Sequence, residues 1–246
     1  MNHSNDRATW LQGNAVPCSL PPKLRLVPPR LVLLGAPGIG KRTQAEQLCA
    51  GLGVCHLSTG DVFRSFAAVP ETKRTRPMVE ALSCLNCGKM APDASVLELV
   101  RDRSACLRCR GGFLLNGFPS TVAQARALDE MLEEENLRLE AVLNYTLPFQ
   151  SIIDRLSGRR SCPACRAVCH VTNRPPRQAG ICDQCGGALI QLPEDAPEAV
   201  EARLLAYERT TKPLIQYYLG HGIVRTISAE GTPERVYQRT LAILDN

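Results

Sequence analysis

The sequence predicts an α/β protein in which a central parallel sheet of five strands is packed between helices in three layers. Two observations lead to this fold class. Short apolar runs recur along the chain, and stretches with helical periodicity separate them. The chain has 246 residues, of which 44% are hydrophobic and 22% charged, enough for one large or two modest domains with a sizeable core.

The predicted strands lie in short apolar runs, and each is followed by a helical stretch. The runs are LVLLGA from Leu31, VCHLS (54–58), GFLLNGF (112–118), AVLNYTL (141–147) and GIVRTIS (222–228). A helical pattern follows the first run at Gln44, Ala45, Leu48, Cys49 and Leu52. Further helices are expected near 61–68, 94–104, 121–134, 148–157, 196–219 and 232–244. Strands that alternate with helices favour a parallel sheet covered on both faces.

Composition limits the classes of partner. The net charge of +5 suits an anionic substrate such as a nucleotide. The sequence contains no long run of Lys and Arg, so a nucleic-acid partner is not indicated. The sequence contains no stretch of 18 apolar residues, so no membrane span is predicted. Residues 1–30 are rich in proline and lack a secretory signal, so they are expected to form a flexible leader. We therefore expect a cytoplasmic protein that binds neither nucleic acid nor membranes.

A glycine-rich loop follows the first predicted strand. GAPGIGKRT (35–43) has the glycines and Lys41 of a phosphate-binding P-loop, but Arg42 follows the lysine and Thr43 comes one position late. Glycines allow a tight turn whose N–H groups point at an anion, and the next helix adds its dipole. The alternative is a strand-to-helix turn without a ligand.

The loop resembles that of the adenylate kinase family, G-x-P-G-x-G-K-G-T-Q, in which the late threonine is the rule and only Arg42 departs. The resemblance extends from about Leu31 to Leu244. It implies reversible phosphoryl transfer from ATP to AMP with Mg²⁺, by a monomer. The implied ATP-binding residues are Gly35, Pro37, Gly38, Ile39, Gly40, Lys41, Arg42, Thr43, Arg155 and Arg159.

Three further segments are similar to the family's acceptor-nucleotide motifs: HLSTGDVFR (56–64), GKMAPD (88–93) and FLLNGFPSTVAQA (113–125). By this match Thr59 faces the AMP base, Arg64 its phosphate, and Gln124 the adenine edge. The implied AMP-binding residues are Thr59, Arg64, Met90, Ala91, Gly117, Phe118, Ser120, Gln124 and Arg203.

DRLSGRR (154–160) and the helix from residue 200 resemble the segments that supply the family's catalytic arginines. The implied catalytic residues are Lys41, Arg155, Arg159 and Arg203. Phosphoryl transfer needs alignment and neutralisation of the phosphate charge, which converging lysine and arginine side chains provide.

Besides Arg42, three residues depart from the pattern. Asn116 replaces an aspartate, and Ser120 and Leu192 stand where arginines are expected. Three outcomes remain open: a slower adenylate kinase, a kinase for another acceptor, or a nucleotide-binding relative with little turnover. The resemblance places the kinase core at 31–246, with an acceptor-binding insert at 60–111 and a lid insert at 158–193.

The segment 158–193 contains CPAC and CDQC, separated by 16 residues. This spacing predicts a closed structural zinc site made of Cys162, Cys165, Cys182 and Cys185. Two disulfides or free thiols are the alternatives. A zinc ribbon that binds nucleic acid is disfavoured because no aromatic residues accompany its arginines.

A second pair of motifs, CLNC and CLRC, has similar spacing and suggests a second zinc site. The candidate ligands are Cys84, Cys87, Cys106 and Cys109. The predicted helix between them spans roughly 16 Å, whereas zinc ligands lie within about 4 Å of one another, so this site stays open. Cys18, Cys49 and Cys55 are expected to be unpaired.

Overall fold

The computed structural model describes residues 7–18, 27–87, 89–165 and 167–245. Its strands, in chain order, are β1 (Arg30–Gly35), β2 (Cys55–Ser58), β3 (Phe113–Asn116), β4 (Ala141–Thr146), β5 (Arg159–Ser161), β6 (Val168–His170) and β7 (Val224–Ser228). Its α-helices are α1 (Ala8–Gln12), α2 (Lys41–Leu52), α3 (Thr59–Ser65), α4 (Arg76–Asn86), α5 (Asp93–Arg101), α6 (Val122–Glu133), α7 (Phe149–Ser157), α8 (Pro197–Gly220) and α9 (Pro233–Leu244).

The main sheet has five strands in the order β2-β3-β1-β4-β7, and every neighbouring pair is parallel. The predicted five-stranded parallel sheet is confirmed, with β1 starting at Arg30 rather than Leu31. The chain leaves β1 toward one side of the sheet and β4 toward the other. The crevice at the carboxyl ends of β1 and β4 is therefore a topological switch point, where α/β folds bind ligands.

Helices cover both faces of the sheet. Successive side chains of a strand point to opposite faces. Leu31 and Leu33 pack in the apolar cluster that includes residues of α2 and α9, whereas Val32 and Leu34 pack with residues of α6 and α8. The three-layer arrangement is thus confirmed. None of the helices in the described ranges has the length and apolar character needed to cross a bilayer.

Helix α4 is absent from the sequence-based prediction, although the sequence carries its signal. Met78, Ala81 and Leu82 recur at helical spacing and pack in or against the core cluster, and Pro77 lies at the helix start. Together α3, α4 and α5 make the connection between β2 and β3 helical. Gly88, within this connection, lies outside the described residues.

The expectation of a flexible leader over residues 1–30 is wrong for residues 7–18. Trp10 of α1 is fully buried, and its indole N–H donates to the Ser58 carbonyl at 3.0 Å. The buried guanidinium of Arg103 donates through Nε to the Trp10 carbonyl at 2.7 Å. A large aromatic side chain with satisfied polar groups fixes α1 on the core. Residues 1–6 and 19–26 lie outside the described ranges.

The cysteine-rich segment between α7 and α8 is built on the antiparallel pair β5–β6. Its two Cys-x-x-Cys turns have the same backbone form. The Cys162 N–H donates to the Ala167 carbonyl at 2.9 Å, and the Cys182 N–H donates to the Gly187 carbonyl at 2.9 Å. Each turn therefore directs its two thiols toward the other turn. Arg166, in the first turn, lies outside the described residues.

Candidate active site

The glycine loop joins the carboxyl end of β1 to the first turn of α2, as the sequence predicts. Gly40 has a φ of +101° immediately before Lys41 begins α2. Gly38 has a φ of +78°, and a Cβ atom there would lie 2.5 Å from the Leu156 side chain. Both positions therefore require glycine. The positive end of the α2 dipole adjoins this turn, which makes it suited to an anion.

Lys41 lies inside the loop. Its Nζ donates to the carbonyls of Gly35 and Ala36 at 2.5 and 2.9 Å. Burial and the positive charge of Arg203 lower the pKa of Lys41 to about 8. Two predicted site residues from distant parts of the chain thus lie near each other. An anion bound beside them would favour the charged lysine and raise this pKa.

Arg155 approaches the same loop from α7. Its Nη1 donates to the Ile39 carbonyl at 3.1 Å, and its Nη2 to the Ala229 carbonyl at 3.3 Å. Burial lowers the pKa of its guanidinium. Arg155 also lines a cleft of about 310 Å³, together with His170 of β6 and Glu230. The cleft therefore continues from the glycine loop toward the cysteine-rich segment.

Arg159 forms a two-pronged ion pair with Asp195. Nε lies 2.7 Å from Oδ2, and Nη2 lies 2.6 Å from Oδ1. Asp195 is fully buried, just before α8, so the pair joins the start of β5 to the approach of the α8 helix. Bidentate pairs of this type fix the orientation of the guanidinium plane.

On the acceptor side, Thr59 and Arg64 come from α3 and Gly117 follows β3. Thr59 is buried. A Cβ atom added to Gly117 would lie 2.6 Å from Oγ1 of Thr59. Gly117 has a φ of +88°, so glycine allows both the backbone turn and this close approach. The Ser58 hydroxyl accepts from the Asp61 N–H at 3.2 Å and caps α3.

Asp61 is surrounded by three arginines. The half-exposed Arg64 bonds to Oδ1 of the carboxylate, Arg7 Nη1 lies 3.0 Å from Oδ2, and Arg42 Nη1 lies 4.0 Å from Oδ1. Burial would raise the pKa of Asp61, but the bonds and charges of Arg64 and Arg7 together lower it. Positive charge therefore accumulates here from three separate segments of the chain.

Gln124 is fully buried, and both ends of its amide are engaged. Its Oε1 accepts from the Ser120 backbone N–H at 2.8 Å and from the Ser120 hydroxyl at 3.0 Å. Its Nε2 donates to Asp93 Oδ1 at 2.8 Å. The serine that replaces an expected arginine therefore positions Gln124.

The remaining acceptor candidates differ in their surroundings. The Phe118 side chain is fully buried in the core, which leaves only its backbone for a ligand. Met90 is exposed and Ala91 packs partly against the core, just before α5. Asn116, at the end of β3, has its Nδ2 3.4 Å from His56 Nε2. Burial and the charge of Arg7 lower the pKa of His56 to about 4, so this histidine is neutral near pH 7.

Arg42 is engaged with acidic residues in this structure. Its Nε donates to Glu46 Oε1 at 3.0 Å, one helical turn further along α2, and its side chain is 66% exposed. Thr43 is also exposed in this first turn. Such an exposed i,i+4 pair is worth about 0.3–0.5 kcal/mol, so Arg42 is free to leave Glu46 for a stronger anion.

The thiols of Cys162, Cys165, Cys182 and Cys185 form one cluster. Their sulfur atoms all lie within 4.8 Å of one another. Four thiolates in this arrangement match a tetrahedral structural zinc site. The donor set and the paired turns fit the predicted metal.

The second predicted cysteine quartet does not assemble in the described part of the chain. The only group of metal-ligand type found there is the first quartet. Cys84 lies in α4 and Cys106 in the 3-10 helix Ser104–Arg108, so α5 separates the two pairs. Cys109 instead has its sulfur 3.3 Å from that of Cys55, and both residues carry free thiols, as expected for Cys55.

Sequence reasoning missed two positioning residues and one cation. Asp61 and Asp93 lie inside the quoted acceptor motifs, so their signal was available. Arg7 had no such signal, because it reaches Asp61 only through the packing of α1 on the core.

The switch-point loop, its half-buried lysine and the arginines around it define a P-loop nucleotide-binding protein of the α/β class. The family described as adenylate kinase matches residues 33–223. The chain belongs to the adenylate kinase family.

Curated relatives agree with this assignment. The adenylate kinase of Caldicellulosiruptor bescii is 45% identical over 195 residues, which cover 79% of this chain and 89% of the relative. That of Streptomyces coelicolor is 43% identical over 216 residues, 87% of this chain and 98% of the relative. That of Thermodesulfovibrio yellowstonii is 41% identical over 216 residues, 88% of this chain and 99% of the relative.

Proposed function

We propose that the protein transfers the terminal phosphoryl group of ATP to AMP and forms two molecules of ADP in a reversible reaction. The observation that carries this proposal is the proximity of Lys41 and Arg203 at the glycine loop. A lysine whose protonation is opposed by a neighbouring arginine favours a ligand with several negative charges. The triphosphate of ATP and the phosphate of AMP together supply such a ligand.

The donor site extends from the glycine loop to the cleft beside Arg155. Lys41 and the first-turn N–H groups of α2 hold the outer phosphates, and Arg155 neutralises charge on the transferred group. The cleft of about 310 Å³ accommodates the nucleoside. Mg²⁺ that arrives with ATP would take an oxygen ligand from Thr43 and supplies further charge neutralisation at the phosphates.

The segment 158–193 acts as a lid in this proposal. A structural zinc held by the four thiols stiffens a segment too poor in apolar residues to fold alone. Arg160, Arg174 and Arg177 lie in it, so closure adds positive charge over the triphosphate and excludes water. Arg159 stays oriented by Asp195 and, with Arg203, faces the phosphoryl group.

The acceptor site is formed by Thr59, Arg64 and Gln124. The pair of Arg64 with Asp61 exposes a guanidinium for the AMP phosphate, while Thr59 is buried beside Gly117. The Gln124 amide reads adenine only after it exchanges one of its bonds to Ser120 or Asp93. The three relatives compared above are adenylate kinases, so an altered acceptor is not favoured over AMP.

A coupled assay that measures ADP formed from ATP and AMP tests the proposal. AMP, GMP, CMP and UMP are compared as acceptors, and we expect AMP to give the largest kcat/KM. The Lys41→Met variant is the control for contaminating kinases, since it removes the cation inside the loop. ATP binding without ADP formation from any acceptor would refute the catalytic proposal.

A further inference from the structure

Two thiols meet at the end of the sheet opposite to the glycine loop. Cys55 is the first residue of β2, and Cys109 directly follows the 3-10 helix Ser104–Arg108. Their sulfur atoms are 3.3 Å apart, although the residues are 54 positions apart in the chain. Proximity of two thiols across such a sequence separation is a product of the fold.

The backbone holds both cysteines in place. The Cys55 N–H donates to the Gly112 carbonyl at 3.1 Å, and the Gly112 N–H donates to the Cys109 carbonyl at 2.9 Å. Gly112 therefore bridges the two residues. Both thiols are partly buried, so a small reagent reaches them while the surrounding structure keeps them together.

The two thiols differ chemically. The hydrogen bond from Cys55, helped by the Gly111 backbone, lowers the pKa of Cys109 to about 6 against the effect of burial. The same hydrogen bond, with burial, raises the pKa of Cys55. A thiolate therefore lies beside a thiol, which is the arrangement needed for thiol–disulfide exchange.

The sequence neighbour Cys106 is a poor partner for Cys109 despite the Cys-x-x-Cys spacing. Its side chain belongs to the apolar core cluster, and burial raises the pKa of its thiol to about 12. Cys18 is exposed and has its sulfur 3.3 Å from Thr9 Oγ1. Both thiols nevertheless lie close enough to act electrostatically on Cys55, so the cross-link has to be assigned by mapping.

We propose that Cys55 and Cys109 are a redox-active dithiol that forms a reversible intramolecular disulfide by exchange with a small disulfide. The Cys109 thiolate attacks one sulfur of the oxidant and releases one small-molecule thiolate, which leaves a mixed disulfide. Cys55 then loses its proton to solvent, attacks the Cys109 sulfur and releases the second thiolate. Two protein thiols are oxidised and one small disulfide is reduced to two thiols.

The cross-link would close a loop that contains α3, α4 and α5. A closed loop of this length restricts the unfolded chain more than the folded one. The oxidised protein is therefore expected to unfold at a higher temperature than the reduced protein. The nucleotide site lies at the other end of the strands, and its residues are not part of the cross-link.

The full chain is incubated with oxidised glutathione under native conditions, alkylated, digested and analysed by mass spectrometry. We expect a cross-linked peptide pair that joins Cys55 to Cys109, with two fewer thiols available for alkylation. Cys55→Ser and Cys109→Ser each abolish this pair, whereas the matched control Cys49→Ser retains it. Reduction with dithiothreitol restores both thiols.

Three results would overturn the proposal. In the first, both thiols stay fully alkylated after oxidation. In the second, Cys109 links to Cys106 or retains glutathione without resolution by Cys55. In the third, elemental analysis finds a second bound metal, and Cys55→Ser loses this metal while the four-cysteine cluster retains its zinc. This result would assign Cys55 and Cys109 to metal binding.

Discussion

Arg159 and Asp195 face each other through two parallel hydrogen bonds of 2.7 and 2.6 Å, and the carboxylate is completely buried. The pair ties the start of the cysteine-rich segment to the start of α8. Any movement of that segment relative to α8 therefore has to keep or break this ion pair.

The first prediction concerns this pair. Asp195→Asn removes the buried charge but keeps hydrogen-bonding capacity, and Arg159 is 31% exposed. We expect a loss of about 1–3 kcal/mol in the free energy of unfolding, because a buried carboxylate partner is lost while water partly solvates the arginine. Urea denaturation measures it. The exposed carboxylate of Asp154, which accepts from Gln150, provides the matched control Asp154→Asn. Equal stability of the two variants would contradict this role for Asp195.

The second prediction concerns the titration of Lys41. The pKa of its amino group falls from 10.5 in the unfolded chain to about 8 in the folded one. Protonated Lys41 thus opposes folding below pH 8, and this opposition disappears above pH 10.5. We expect the unfolding free energy of the wild type, relative to Lys41→Met, to rise with pH between these values. Direct titration of the lysine ammonium by NMR gives the same pKa, and ATP should raise it. A value near 10.5 without ATP would be inconsistent with the loop environment.

The third prediction concerns Ser120, which replaces an expected phosphate-binding arginine. Ser120→Arg is expected to raise kcat/KM for AMP by about one to two decades, since a charge-assisted contact is worth ~1.5–3 kcal/mol. Ser120→Lys is the matched control, because it restores charge without the bidentate fork. Steady-state kinetics distinguish them. Lower activity in Ser120→Arg would indicate that the bond of Ser120 to Gln124 matters more than the missing charge.

The fourth prediction concerns the four-cysteine cluster. Elemental analysis of protein purified without chelator should find one zinc per chain. Cys165→Ser should lower this content and the unfolding temperature, because a structural zinc contributes its binding free energy to folding. Cys169→Ser changes a thiol of the same segment outside the cluster and should leave both unchanged. Full zinc content in Cys165→Ser would remove that residue from the ligand set.

The fifth prediction concerns the N-terminal helix. Trp10→Ala should destabilise the protein by about 3–5 kcal/mol, the usual cost of deleting a fully buried large side chain. Phe149→Ala provides the control, because this aromatic side chain is 41% exposed at the start of α7. Thermal or urea unfolding compares the two. A loss in Trp10→Ala as small as that in Phe149→Ala would mean that α1 contributes little to the fold.

Local patterns predicted the sheet and the glycine loop well, since strand, turn and helix signals occur together between Arg30 and Leu52. They failed where contacts join distant segments. The Arg7–Asp61 ion pair and the Cys55–Cys109 pair both depend on how the connection between β2 and β3 packs, and nothing local in the sequence encodes it. The spacing of CLNC and CLRC was misleading for the same reason, because α5 holds the two motifs apart.

Trp10 is the only tryptophan of the chain, and its indole N–H bonds to the carbonyl of Ser58, the residue that caps α3. All indole emission therefore comes from a single site next to the helix that carries Thr59 and Arg64. The wild-type protein thus has an intrinsic optical probe, and its fluorescence can follow acceptor binding in a stopped-flow experiment without any label.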